Sequence, residues 1–280
     1  MKTIKHLTLT FVFAFFILCN KVESQKGNLG APDNWFASLN GASAFALDNL
    51  VLFDSAGMSN IIHYSASFDL LLGAEQEAIT NFFSALKNNQ SITVVLSRVN
   101  SNLDLIEERA YNNATISEMQ LPELDASGRS VAKIRVKIKT TSVIEKFGTN
   151  QKFSKPMGAK QKSALTSNFR FSFGSLETRR VAKIYGMSIT NSGMLQFSKA
   201  LIEMSLSDVK GWKELFQNNS GKSSKKTQAV IELLSLDMKT IVFQIDLSDA
   251  EIISYSYNDN NNTRGTFGIK VGNLSVSFPK

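Results

Sequence analysis

Two stretches of this chain occur twice. Asn34-Trp35-Phe36-Ala37-Ser38-Leu39 is matched by Asn168-Phe169-Arg170-Phe171-Ser172-Phe173 at an offset of 134 residues. Arg129-Ser130-Val131-Ala132-Lys133-Ile134-Arg135-Val136 is matched by Arg264-Gly265-Thr266-Phe267-Gly268-Ile269-Lys270-Val271 at an offset of 135. Solenoid repeats run to roughly 20–50 residues, so a period of this length is domain-sized. The spacing predicts a duplicated domain over 25–144 and 168–280, with 145–167 as a basic linker or exposed loop.

Residues 1–24 follow a different pattern. Lys2 and Lys5 form a positive head, 7–18 is a short apolar run, and Val22-Glu23-Ser24 offers a small-residue cleavage context that leaves Gln25 as the mature start. This predicts a secretory signal peptide, because the run is too short to span a bilayer. Cys19 offers lipidation as an alternative, with the bulky Leu18 where a small residue is expected. The expected location is secreted or cell-surface, with the periplasm as the alternative. Cys19 is the only cysteine, so no disulfide supports the mature chain. The formal charge of +7 falls to +5 once Lys2, Lys5, Lys21 and Glu23 are removed. That mild excess predicts no nucleic-acid partner. No other stretch reaches transmembrane length, so no stable membrane insertion is expected.

Periodicity gives the elements. From Ile62 to Leu70 apolar positions alternate with Ser65, Ser67 and Asp69, a half-buried strand. Over 74–87 the period changes, and Ile79, Phe82, Phe83 and Leu86 mark an amphipathic helix. Strands are expected at 34–39, 45–53, 91–99, 103–110 and 114–121, with Tyr111-Asn112-Asn113 as a turn. Over 131–144, Ala132, Ile134, Val136 and Ile138 share one face, and Lys133, Arg135, Lys137 and Lys139 the other. Four cations on one face suit either a solvated surface that discourages edge pairing or a charged lining that meets acidic residues of a neighbouring subunit. The second half keeps the order. Strands fall at 169–173, 181–189 and 195–206, then a helix capped by Ser207 with Val209, Trp212, Leu215 and Phe216 as its stripe. Strands follow at 227–234, 238–247 and 251–257, and 265–278 is a final strand or strand pair. The expected fold is mainly β: two similar β-barrel or β-sandwich domains, each with one short α-helix.

The residues for catalysis are sparse. Without the leader, His63 is the sole histidine and no cysteine remains, which removes a Cys–His dyad and most zinc sites with nitrogen or sulfur ligands. His63 sits in an alternating strand, and no serine lies in a nucleophile elbow. Glu107-Glu108 and the pair Asp249/Glu251 are nonspecific carboxylates, and Asn258 to Asn262 with Asp259 lacks the spaced acids of a calcium loop. No catalytic, cofactor-binding or metal residues are assigned, and the chain is expected not to be an enzyme. Glycosylation sequons stand at Asn89, Asn113, Asn218, Asn261 and Asn273.

Each half resembles the contractile-injection tube domain, shared by phage tail tube proteins and the haemolysin-coregulated tube protein of type VI secretion. Phe169-Arg170-Phe171-Ser172-Phe173 resembles the opening strand, Val209-Lys210-Gly211-Trp212-Lys213-Glu214-Leu215-Phe216 the helix, and 249–257 the strand before the terminal hairpin. The resemblance implies six-domain rings stacked around a lumen, to which a tandem chain would bring two domains. The leader departs from a family whose tubes assemble in the cytoplasm, and it directs the expectation to an exported ring, tube or filament. The partner expected is a second copy, meeting this one through strand edges and barrel rims. The alternative is a monomeric extracellular module that binds carbohydrate or another protein.

Overall fold

The computed structural model describes residues 34–56, 61–148, 151–154, 164–219, 226–257 and 263–279. The expected signal peptide over 1–24 with Cys19, the lead from Gln25, Lys155 to Lys162 of the joint, and the asparagine turn 258–262 with its sequon at Asn261 lie outside the described residues.

The first half runs β1 (Asn34–Leu39), β2 (Phe45–Ala46), β3 (Asp48–Ala56), β4 (Ile62–Leu71), α1 (Gln76–Lys87), β5 (Ile92–Val99), β6 (Leu105–Gln120), β7 (Leu124–Asp125), β8 (Lys133–Thr140) and β9 (Ser142–Phe147). The second runs β10 (Phe169–Phe173), β11 (Val181–Tyr185), β12 (Ser188–Asn191), β13 (Leu195–Phe197), β14 (Ala200–Ser205), α2 (Val209–Asn219), β15 (Thr227–Leu234), β16 (Ile241–Tyr257), β17 (Arg264–Lys270) and β18 (Asn273–Ser277). The protein is mainly β, in two similar halves with one short helix each.

Each half is built on one long strand that belongs to two layers. The first part of β6 pairs with β5 and β9, and its last part with β8. The first part of β16 pairs with β15 and β18, and its last part with β17. Around them, β1 lies on β5 as β10 lies on β15, and β4 on β8 as β14 on β17. Both long strands bend at the same two places. Asn112 and Asn113 stand opposite the single residue Thr93, and Ser248 and Asp249 opposite Gln228; Asn113 (φ 49°) and Asp249 (φ 54°) are both left-handed. Four residues on, Ser117 and Ile253 are each the extra residue of a second bulge against β8 and β17. Bulges add twist and re-aim a strand, which lets one strand serve two layers.

These bulges correct two sequence readings. Tyr111-Asn112-Asn113 is not a hairpin turn but a bend inside the 16-residue β6. Tyr111 faces the core, and burial pushes its phenol up to about 12. The repeat around Arg129 and Arg264 is also out of register. Ile138 and Ile269 both face the residue three beyond the left-handed one, namely Ile116 and Ile252. That equates Lys133, not Arg129, with Arg264. A slip of four preserves the two-residue alternation, so the apolar pattern alone could not detect it.

The helices close over the barrels as their stripes dictate. Ile79, Phe82 and Leu86 of α1 are buried, with Phe45 and Phe68 against the Phe82 ring. Val209 and Trp212 of α2 are buried, and Leu215 and Phe216 pack at the rim. α2 begins two residues after Ser207, so Ser207 is not its cap; its hydroxyl donates to Asp208 and accepts from Arg180. The joint is not all loop. Residues 142–147 form β9, Phe153 packs on Phe36, and Ala164 is buried with its backbone bonded to Leu72 and Ala132. One cluster of buried residues extends from Ala37 through both halves to Leu274.

Candidate functional site

Two hairpins, β3–β4 and β11–β14, share one register. The pair Val51–Ser67 recurs as Tyr185–Leu201, and Ser55–His63 as Ile189–Phe197, each at an offset of 134. In the first half these strands are unbroken, with one irregularity between Asp48 and Val51 where Asn49 is left-handed (φ 47°). In the second, Gly186 (φ 77°) divides the outgoing strand into β11 and β12, and the returning strand breaks between β13 and β14. The bent hairpin is docked. β12 pairs with the end of β6, as Ser188 with Gln120, Ile189 with Met119 and Thr190 with Glu118. β11 pairs with β7, as Lys183 with Asp125 and Ile184 with Leu124. The Leu121 N–H donates to the Met187 carbonyl (3.0 Å), the Ala126 N–H to the Ala182 carbonyl (2.8 Å), and the Asn191 amide to the Leu86 carbonyl at the end of α1 (2.8 Å). Met187 (5% exposed) and Ile189 (1%) are buried by this contact and the core beneath it.

Asp125 pins the junction. Its carboxylate accepts from the Ser127 hydroxyl (2.6 Å) and N–H (2.9 Å), and meets Lys183 of the other half at 3.0 Å. Those bonds, the Ser127 hydroxyl first, hold its pKa down to about 2. A depressed folded value means that this stabilisation is complete above the ordinary 3.8 and is lost as pH falls towards 2. Replacing Asp125 with Asn should therefore flatten the loss of stability between pH 4 and pH 2. Acid denaturation curves of the two proteins with equal slopes in that window would contradict this.

A cleft of about 430 Å³ opens beside the docked segment, lined by Asp69, Glu118, Gln120, Lys133 and Arg135 of the first half and Gly186 to Ser188 of the second. Here the four cations of β8 find their partners. Lys133 bonds Asp48, Arg135 meets Asp69 at 2.7 Å, and Lys137 meets Glu118 at 2.6 Å, while Lys139 is exposed. The Lys133 bond holds Asp48 below the usual carboxylate range; for Glu118, the Lys137 and Gln120 bonds outweigh the upward push of burial. Three of the acids that meet these cations are thus in the same chain, on β3, β4 and β6.

The second half has an equivalent cleft of about 360 Å³. Glu203, Ser254, Ser256, Tyr257 and Thr266 line it where Asp69, Glu118, Gln120, Leu121 and Arg135 line the first. Glu203 is buried and paired with Arg264 at 2.6 Å. Residues 251–257 of β16 pair, among the described residues, only with β17. The matching edge of the first hairpin is also open: β3 pairs only with β4 among the described residues. Val51, Phe53 (57% exposed), Ile61 and Ile62 lie uncovered on that hairpin.

The residues weighed for chemistry are scattered. His63 is exposed on β4 opposite Ser55. Glu107 and Glu108 are neighbours on a strand and point to opposite faces. Glu107 is held by Arg98 and Arg109, and Glu108 by Lys146. Asp249 is the bulge residue, within 3.5 Å of Lys226. Among the described residues no group of three or more His, Cys, Asp or Glu could hold a metal ion, and no helix is long and apolar enough to cross a membrane. The docked hairpin and the second cleft escaped sequence reasoning, because strand exchange between halves leaves no local pattern.

No protein-family model matches the sequence, and no curated protein matches it. Several solved structures are similar to the chain. One belongs to the sheath-tube complex of an extracellular contractile injection system, PVC, in the extended state (11% identity, TM-score 0.34), covering 42% of this chain and 93% of that one. Another belongs to the anti-feeding prophage baseplate (13% identity, TM-score 0.33; 43% and 96%). A third is from the tube-terminating cap of the anti-feeding prophage (13% identity, TM-score 0.31; 47% and 100%).

Proposed function

We propose that this chain is an exported structural protein, a tandem duplication, that self-assembles into rings, tubes or filaments and is not an enzyme. The observation that carries the reading is the edge of β3, which no strand covers among the described residues. It is nine residues long and carries the exposed Val51 and Phe53. Soluble monomers blunt such an edge with lysine, proline or a covering segment, because its unpaired N–H and C=O groups template pairing. The two bulges repeated at the same spacing support the duplication.

Negative-stain electron microscopy and light scattering on the purified protein should show rings or hollow tubes. Particles that stay monomeric at the highest attainable concentration would sink this reading. Glycan binding by such monomers would instead favour the binding module, for which Tyr257, half-exposed beside Tyr255 on β16, is the surface aromatic to test.

A further inference from the structure

We propose that the open β3–β4 hairpin of one copy docks on the open end of β16 of another, in the register that joins the two halves within a chain. This inference rests on the self-assembly reading and names its interface.

Three observations lead to it. First, the junction inside the chain has a donor and an acceptor. The donor is the second-half hairpin, β11 to β14, and the acceptor is the end of β6 with its cleft. Second, each half carries both parts. The first-half hairpin keeps the donor register at Val51–Ser67, Ser55–His63 and Ala56–Ile62, and the end of β16 keeps the two bulges and the cleft of the acceptor. Third, one donor and one acceptor are left over, and both are uncovered among the described residues. Phe53 occupies the position of Met187, which the internal junction buries, yet Phe53 is 57% exposed. Ile253 and Tyr257 are exposed along the waiting β16 edge.

The internal pairs fix the expected register. Ser188–Gln120, Ile189–Met119 and Thr190–Glu118 become Asp54–Ser256, Ser55–Tyr255 and Ala56–Ser254 between copies. The contact is heterologous, joining two different patches. Repetition therefore gives a ring if the rotation closes and an open filament if it does not. A covering copy would also satisfy both strand edges at once.

Two lysine variants test the assignment. Phe53→Lys breaks the donor and Ile253→Lys the acceptor; both sites are exposed in the single chain, so each variant should keep the far-UV circular dichroism of the parent. Each variant alone should sediment as a monomer where the parent assembles. Mixed in equal amounts they should form a one-to-one dimer and nothing larger, because one intact donor meets one intact acceptor. Variants that assemble like the parent, or a mixture that stays monomeric, would overturn the interface while leaving self-assembly intact. A parent that never assembles would overturn both. The register has its own readout. Asp54→Cys with Ser256→Cys in one chain should give a ladder of disulfide-linked multimers on a non-reducing gel. Asp54→Cys with Ser254→Cys should not, since cysteines whose Cα atoms are more than about 7 Å apart do not bridge. Equal ladders from the two pairs would reject the register.

Discussion

Trp212→Ala should lower the free energy of unfolding by about 4 kcal/mol, the middle of the range for a buried large aromatic. Trp212 is fully buried, with its ring 5.0 Å from that of Phe173 and 5.2 Å from that of Phe267. Its indole N–H donates to the Glu177 carbonyl at 2.9 Å and so ties α2 to the loop after β10. Alanine removes the ring contacts, leaves a void against Phe173 and Phe267, and orphans that carbonyl. Trp212→Phe keeps most of the ring and should cost about 2 kcal/mol, chiefly for the lost bond and the smaller volume. Urea denaturation monitored by circular dichroism measures both. A cost below about 1 kcal/mol for the alanine variant would mean that the second-half core closes over the gap.

The second large effect concerns Asp69. Its side chain is 6% exposed and accepts from Arg135 Nε at 2.7 Å and Nη2 at 3.2 Å, and from the Asn49 amide at 2.7 Å. Arg135→Ala leaves a buried carboxylate with one neutral donor. Removing one partner of a buried pair costs roughly 3–5 kcal/mol; because the Arg135 side chain is 42% exposed, water offsets part of that, and about 2 kcal/mol is expected. Pairing it with Asp69→Leu removes the orphaned charge, so the double variant should be more stable than Arg135→Ala alone. Additive losses in the denaturant midpoints would show that Asp69 is solvated from another side. In the second half Glu203 stands where Asp69 does but pairs with Arg264, at the position of Lys133, and Arg264→Ala should likewise be destabilising.

Much of this fold could be read from alternation and helical spacing. The stripe of Ile79, Phe82 and Leu86 placed α1, and the alternating residues after Val131 placed the strand whose cations line the first cleft. Register was harder. Asn113 and Asp249 are polar residues in mid-strand, and their sequence signal is that of a turn, since both types favour left-handed backbone. Only their partners, Thr93 and Gln228, show that the strand continues. Nor did the sequence separate a charged face open to a neighbour from one paired at home, because Asp48, Asp69 and Glu118 meet β8 from three other strands. The expectation of no catalytic constellation rests on composition, whereas the junction rests on β7 and β12, each a few residues long.

Gly186 has a consequence for symmetry. Its φ of 77° gives the bend that lowers β12 onto β6. The same position in the first hairpin is Leu52, for which left-handed backbone costs about 1–2 kcal/mol. Joints between copies would therefore keep the pairing of the internal joint but not its angle. A row of such molecules would alternate between two hinge geometries, like links of two shapes in one chain. Its smallest repeating unit would be the whole polypeptide, so averaged images should show a period of two lobes, not one.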